Sequence, residues 1–462
     1  MSGPALAHAR DHCLAPERSE ALVYGGRYRK LFADLPALEV DERSLHALGR
    51  PSGPCDVGVD FVDGEDSATA AAWPFFGQFI AHDITADRSP LGHRTDPAQI
   101  VNFRTPRANL EAVYGAGPVG SPYLYAREDP CKLLLGPGGR DVPRNHEGIA
   151  LVGDPRNDVH LFVSQMHVAF IGLHNRLVDR LRADGEPRRD VFDEAHKVTV
   201  WHYQHVILHE FLPLLIGAEL TAELLGGGAR YYRPGEHPYI PFEFADAAYR
   251  YGHAQMRQRY QVNASFGPCQ LFPDLLGFGP VAPEHAVDWA LQIDVPGRPA
   301  AQRAKRIDGR LPTSLISLPT RISGESGRSD YTSLAVRDLQ RGRAVGLPSG
   351  EAIAREIGVE PLDPEAVGLA QHGWRAETPL WLYVLKEAET LHGGDRLGPV
   401  GGVIVGEVLV GIINADPESF RALDPSWTPT LAGRNDPFEL ADILVGSGAG
   451  PSDEPDAPAA RH

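Results

Sequence analysis

Residues 73–84 read Trp73-Pro-Phe-Phe-Gly-Gln-Phe-Ile-Ala-His-Asp-Ile84. On a helix, Gln78 and His82 stand four residues apart and share a face, while Phe75 and Phe79 form an apolar pair on the neighbouring one. The Gln–His pair then points into an aromatic-rich surrounding, as a hydrogen-bonded core histidine also does. Apolar residues recur at the same helical spacing in Val159–Arg182, Asp193–Ile216, Tyr331–Arg341, Pro379–Thr390 and Val403–Ile413. Strand signals are short and scattered, as at Tyr231–Tyr232 and Tyr239–Ile240, and no repeat of fixed period is present. The expectation is a mainly α fold with few short strands. Asp158 is placed to cap the Val159 helix, Gly185 to close it, and Ser349 to open the segment after Gly346-Leu347-Pro348.

The chain has 462 residues, 42% hydrophobic and 23% charged, which gives a large core and excludes a disordered or fibrous protein. With 44 basic against 61 acidic residues the formal charge is −17, a field that repels polyphosphates and argues against a nucleic-acid partner. The 49 glycines and 40 prolines imply many ordered loops. Four cysteines, Cys13, Cys55, Cys131 and Cys269, show no CxxC spacing, and a Cys55–Cys131 pairing stays open. The first twenty residues lack an apolar stretch of leader length, so the expected location is cytoplasmic or secreted without a leader. The most apolar run, Val403–Ile413, contains Glu407 and falls short of the roughly 20 residues that span a bilayer. The composition suggests an extension over 1–60, one large domain over 61–446, and a disordered tail over 447–462.

Two further segments carry chemistry. In Tyr249-Arg-Tyr-Gly-His-Ala-Gln-Met256 a histidine follows glycine, with a cation three residues earlier, which suits a metal ligand beside a planar, carboxylate-bearing cofactor; a helix-start turn has the same look. Gly153-Asp-Pro-Arg-Asn-Asp158 puts Arg156 in a tight turn before a long helix, either aimed into a pocket or paired with Asp154 or Asp158.

In this order the three segments resemble the animal-type haem peroxidase family, the peroxidase–cyclooxygenase superfamily. Its distal motif matches Gln78 to His82-Asp83, and its proximal motif matches Arg250-Tyr-Gly-His253. Asn102 to Gly115 resembles its calcium loop, His174-Asn-Arg-Leu177 its His-Asn-Arg-Leu helix, and Gln340-Arg341 to Pro348 its proximal segment. The likeness runs over about residues 60–445. It implies a large single-domain helical peroxidase fold that binds haem b. The implied activity reduces hydrogen peroxide through a ferryl intermediate and oxidises a small donor: a phenol, bromide, iodide, thiocyanate or one metabolite.

The resemblance also implies roles. His253 would ligate the haem iron, its other ring nitrogen held by Asp338, where the family usually has asparagine. His82 would move the peroxide proton, Arg156 would stabilise the departing oxygen, and Gln78 would order the distal water. Arg250 and Arg341 match positions that pair with haem propionates. Asp83, Thr105, the carbonyl of Arg107, Asn109 and Glu111 match a calcium site, although Asn109 and Glu111 depart from its commoner residues. Where mammalian members form ester bonds to haem this chain has Ala81 and Val159, which implies haem held without covalent links. The cyclooxygenase branch uses a tyrosine where this chain has Arg250, with Tyr249 and Tyr251 displaced by one position, so a fatty-acid dioxygenase is the alternative enzyme. A non-catalytic haem-binding module is the alternative outside enzymes, and keeping His82 and Arg156 beside His253 speaks against it.

Two weaker patterns are read structurally. Gly115-Ala-Gly-Pro-Val-Gly120 fits GxGxxG but contains Pro118 and lacks a preceding strand, so it reads as a turn. His202, His205 and His209 lie on one predicted helix without a carboxylate or cysteine to complete a metal set, and read as aromatic packing.

Overall fold

The helical spacing is realised in the computed structural model, which describes residues 28–58, 66–86, 100–187, 190–235, 238–324, 332–431 and 437–446. The helices include α1 (Glu42–Gly49), α2 (Ala72–Ile84), α3 (Leu161–Ala183), α4 (Val191–Val206), α5 (Leu334–Ala344), α6 (Leu380–His392), α7 (Pro399–Ala415) and α8 (Leu440–Gly446). The fold is mainly α. Among the described residues the strands are β1 (Asp66–Ala70), β2 (Arg259–Tyr260), β3 (Cys269–Gln270) and β4 (Arg303–Lys305), and they form two antiparallel pairs, β1 with β4 and β2 with β3.

α2 is apolar apart from Gln78, His82 and Asp83 and is buried nearly all round. Phe75 and Phe79 do not pair with each other. Phe75 packs on Phe162 (ring centroids 4.8 Å) and Phe79 stacks on Phe170 (4.9 Å), so both bind α2 to α3. α3 packs along α4, and α2 also packs against the single turn Ala248–His253. There Gly77 eases a close approach, since a Cβ would stand a tight 3.3 Å from the Tyr251 hydroxyl.

Several sequence expectations are corrected by non-local partners. The helix expected from Val159 begins at Leu161, and its cap is His160, whose Nδ1 accepts from the Phe162 N–H at 3.3 Å. Asp158 instead accepts two hydrogen bonds from Arg144 (2.7 and 2.8 Å). Gly185, at φ 85°, follows the end of α3, and Ser349 caps the helix Gly350–Glu356, both as expected. The single helix expected over 193–216 is interrupted by a wide turn at Ile207–Phe211, just before Pro213, which has no N–H to continue the ladder.

Tyr231–Tyr232 and Tyr239–Ile240 are not strands. The buried carboxylate of Glu407 on α7 accepts from the N–H groups of Arg230, Tyr231 and Tyr232 at 2.9, 2.6 and 2.8 Å, and the Tyr232 hydroxyl donates to Tyr239 O at 2.7 Å. Residues 28–58, within the expected extension over 1–60, contain α1, capped by Asp41 and packed on α5. Cys55, Cys131 and Cys269 are free thiols, so Cys55 and Cys131 are not bridged. Residues 1–27, with Cys13, the expected tail 447–462, and Tyr331 lie outside the described residues. Among the described residues no helix is long and apolar enough to cross a membrane.

Candidate active site

His82 lies in the last turn of α2 and is buried. Its Nδ1 is 2.8 Å from Oδ1 of Asn157, and Nδ2 of the same amide is 3.0 Å from Nδ1 of His167 on α3. Burial first, and then the charge of Arg156, holds the His82 imidazole down to about 3, so the ring is neutral at physiological pH. Gln78, one turn earlier, is partly exposed and makes no hydrogen bond among the described residues.

Arg156 sits in the turn Pro155–Asp158, which Asp154 caps. Of the two partners open to it, the structure selects Asp154, because Asp158 is occupied by Arg144. Nε and Nη2 of Arg156 contact the Asp154 carboxylate at 3.0 and 2.9 Å, and Nη2 also donates to the carbonyls of His82 (3.0 Å) and Thr85 (2.7 Å). The guanidinium is thereby stitched to the end of α2, with Nη1 making no hydrogen bond among the described residues.

The turn Ala248–His253, which packs against α2, presents His253. Its Nδ1 is 2.6 Å from Oδ2 of Asp338 on α5, and Nη1 of Arg250 donates to Oδ1 of the same carboxylate at 3.1 Å. Asp338 is fully buried. Burial opposes its charge, but His253 and Arg250 outweigh that and hold the carboxyl below its ordinary range. Arg341 Nη1 lies 3.6 Å from Asp246, which is itself 3.7 Å from Arg250 Nη2. The two arginines expected to face propionates therefore belong to an ionic network around the carboxylates of Asp246 and Asp338.

This arrangement fits a haem ligand. The His253 side chain is 28% exposed although its Nδ1 is covered by Asp338, so the exposed part is the rest of the ring. Beside it, a Cβ on Gly252 would meet nothing within 4 Å, leaving room for a planar group to approach the backbone.

Of the five expected calcium ligands, Asp83, Thr105, Asn109 and Glu111 have side-chain oxygens already engaged in hydrogen bonds within the loop that follows α2. Asp83 accepts from the N–H groups of Leu110 (2.9 Å) and Ala112 (3.2 Å), and burial raises it to about 7. Glu111 accepts from Arg104 Nη1 (2.9 Å) and from the Thr105 hydroxyl (2.8 Å), while the Thr105 carbonyl accepts from Arg107 N (2.8 Å) and Asn109 Oδ1 from Glu111 N (3.2 Å). Among the described residues no group of three or more His, Cys, Asp or Glu side chains is set to hold a metal ion. The loop fits a calcium ion poorly, because the guanidinium of Arg104 supplies the positive charge there.

Arg104 joins this loop to the turn of Arg156. Its Nε and Nη2 donate to Asp154 Oδ2 at 2.9 and 2.7 Å, and Nη2 also to Gly153 O at 2.6 Å. Gly153 is glycine because a Cβ would stand 2.6 Å from the carbonyls of Glu111 and Ala112. Arg104, Asn157 and His167 are the site residues that the sequence reading missed. His202, by contrast, packs edge-on to Phe438 (4.6 Å) and Trp427 (5.1 Å), and His205 lies 4.5 Å from His209.

Residues 120–364, which include Arg156, His253 and Asp338 but not His82, match the family described as animal haem peroxidase. The chain is 28% identical to peroxidasin of Drosophila melanogaster over 55% of its own length and 17% of the relative's. It is 27% identical to thyroid peroxidase of Sus scrofa over 58% of its length and 30% of that protein's. The chain thus spans less than a third of either relative. Among solved structures it is similar to peroxidase A from Dictyostelium discoideum, with TM-score 0.63, 15% identity, and coverage of 91% of this chain and 93% of that one. It is also similar to the fatty acid alpha-dioxygenase of Oryza sativa, with TM-score 0.57, 16% identity, and coverage of 90% and 78%. Both structural likenesses speak for the fold alone.

Proposed function

Because the chain belongs to the animal haem peroxidase family, we propose that it is a haem-dependent peroxidase that reduces hydrogen peroxide and oxidises a small donor, namely a phenol, bromide, iodide, thiocyanate or a specific metabolite. The observation that carries this reading is the presence of two histidine sites on elements that pack together, α2 and the turn Ala248–His253. One is a neutral, buried His82 beside Arg156, and the other is His253 with one nitrogen tied to a carboxylate. A pure haem-binding module needs only the second.

His253 would hold haem through its iron, and the haem would supply the redox chemistry that links peroxide reduction to donor oxidation. Nε2 of His82 takes the proton from the nearer peroxide oxygen and returns it to the farther one, which leaves as water. Arg156, held by Asp154, offers Nη1 to the charge on that oxygen. Gln78 orders the water of the distal side. The test is to load the protein with haem and mix it with hydrogen peroxide and a phenol. Peroxide consumed in step with donor oxidation supports the reading, and haem binding without any reaction overturns it.

The dioxygenase alternative needs an oxidisable tyrosine in the slot of Arg250. That slot is filled by a guanidinium locked to Asp338 and to Ala245 O (2.8 Å), which favours the peroxidase. Oxygen uptake with a long-chain fatty acid would reverse this choice.

With Ala81 and Val159 at the ester positions, the haem is held without covalent bonds. Acid and organic solvent are therefore expected to extract it completely, and haem left with the precipitated chain would refute this. The calcium-type loop is given no part in the reaction.

The Asp338 carboxylate gives the His253 imidazole anionic character that favours ferric iron, while Arg250 on its second oxygen tempers the effect. Asp338→Asn is expected to raise the reduction potential of the loaded protein. The scale is about 60 mV for each tenfold shift of a one-electron couple. Potentiometric titration checks the sign, and an unchanged or lower potential would contradict it.

A further inference from the structure

A neutral imidazole carries its proton on one nitrogen, and an acid–base histidine works only if the bare nitrogen faces the substrate. Which nitrogen is bare is decided by what the other one meets. For His82 the partner of Nδ1 is Asn157 Oδ1 at 2.8 Å, an oxygen that accepts and does not donate. The proton of His82 therefore sits on Nδ1 and the lone pair on Nε2.

The amide itself is held by a third group. Asn157 Nδ2 faces Nδ1 of His167 at 3.0 Å, so that nitrogen of His167 accepts, and its proton is on Nε2. His167 is 1% exposed and Asn157 0%, so water does not compete for these bonds. A half-turn of the amide would reverse both tautomers together and place the wrong nitrogen of His82 toward substrate.

The turn carrying Asn157 is clamped on both flanks. Arg156 is bound to Asp154 at 2.9 Å and Asp158 to Arg144 at 2.7 Å, and the Asn157 N–H donates to Asp154 O at 3.0 Å. A residue that only filled space between α2 and α3 would need none of this.

We propose that Asn157, backed by His167, is the positioning residue of the acid–base step: it fixes the His82 proton on Nδ1 and so makes Nε2 the atom that takes the peroxide proton. This rests on the peroxidase reading for the step, but not for the tautomer.

The test uses the full chain in two variants, Asn157→Asp and Asn157→Leu. Aspartate keeps an acceptor toward His82, whereas leucine keeps the volume and removes the hydrogen bonds. The first readout is the 15N spectrum of histidine-labelled protein, with His82 assigned by loss of its signals in His82→Gln. Wild type and Asn157→Asp are expected to show His82 protonated at Nδ1 and bare at Nε2, and Asn157→Leu a mixture of tautomers. The second readout is stopped-flow reaction of the haem-loaded proteins with peroxide at mildly alkaline pH. Asn157→Leu is expected to react about 10–100-fold more slowly, the scale on which the outer partners of metal-bound histidines act. Asn157→Asp is expected to keep most of the wild-type rate.

Three results overturn the proposal: a wild-type His82 protonated at Nε2, an Asn157→Leu protein as fast as wild type, or an Asn157→Asp protein as slow as Asn157→Leu. The last would be expected of a packing role, since leucine packs better than a buried carboxylate. A wild type that binds haem but ignores peroxide overturns the peroxidase reading and the catalytic half of the proposal, while the ring spectra still decide the tautomer.

Discussion

Replacing His82 by alanine is expected to slow the reaction of the haem-loaded protein with hydrogen peroxide by about 10²–10⁴-fold, the usual contribution of a positioned acid–base group. The argument is geometric first. His82 is buried at the end of α2, with Nδ1 occupied by Asn157 and Nε2 as its one basic atom. It is also electrostatic, because burial and Arg156 keep the ring neutral far below the ordinary imidazole value. The wild-type rate should accordingly show no acid limb near that ordinary value. Haem affinity should be nearly unchanged in His82→Ala, because the proposed ligand is His253, and the two effects are separated by titrating haem before stopped-flow mixing. A variant that reacts as fast as wild type would remove His82 from the mechanism, and one that loses haem would place it on the cofactor instead.

What the sequence made legible was what its local spacing encodes. Helical periodicity found α2 and α3 within two residues of their ends, because apolar faces on long helices leave a signal that tertiary contacts do not erase. The approach of Asp338 to His253, 85 positions apart, was readable only through family likeness, since nothing in the spacing announces it. Where partners are distant and unannounced, the sequence misled. Asp158 looked like a helix cap, but Arg144, 14 positions away, holds it. Tyr231–Tyr232 looked like a strand until Glu407, more than 170 positions away, took its N–H groups. Asn157 and His167 passed unnoticed for a related reason. A single amide in a turn and a single histidine on an apolar helix have no pattern, and their meaning appears only when α2 brings His82 against Asn157.

Replacing Arg104 by methionine is expected to destabilise the fold by about 3–5 kcal/mol, the cost of removing one partner from a buried ion pair. Arg104 and Asp154 are 6% and 2% exposed, so neither charge is rescued by water. The loss should fall toward the lower end of that range, because Arg156 still faces the same carboxylate at 2.9 Å. For that reason Arg104→Met and Arg156→Met should not add. The double variant leaves Asp154 without either guanidinium, and its loss should exceed the sum of the single losses by more than the roughly 0.5 kcal/mol within which independent sites add. The pH dependence has a definite sign. Burial opposes the charge of Asp154, yet the hydrogen bonds and charge of Arg156, with Arg104 behind it, depress its carboxyl well below the ordinary range. A depressed carboxylate stabilises fully above its unfolded value, near 3.9, and loses that contribution as the pH falls below it. The gap between wild type and Arg104→Met, measured by urea unfolding, should therefore be full at neutrality and narrow in acid. A gap below about 1 kcal/mol at neutral pH, the scale of an exposed pair, would show that Arg104 does not clamp the loop of Glu111 to the turn that carries Arg156.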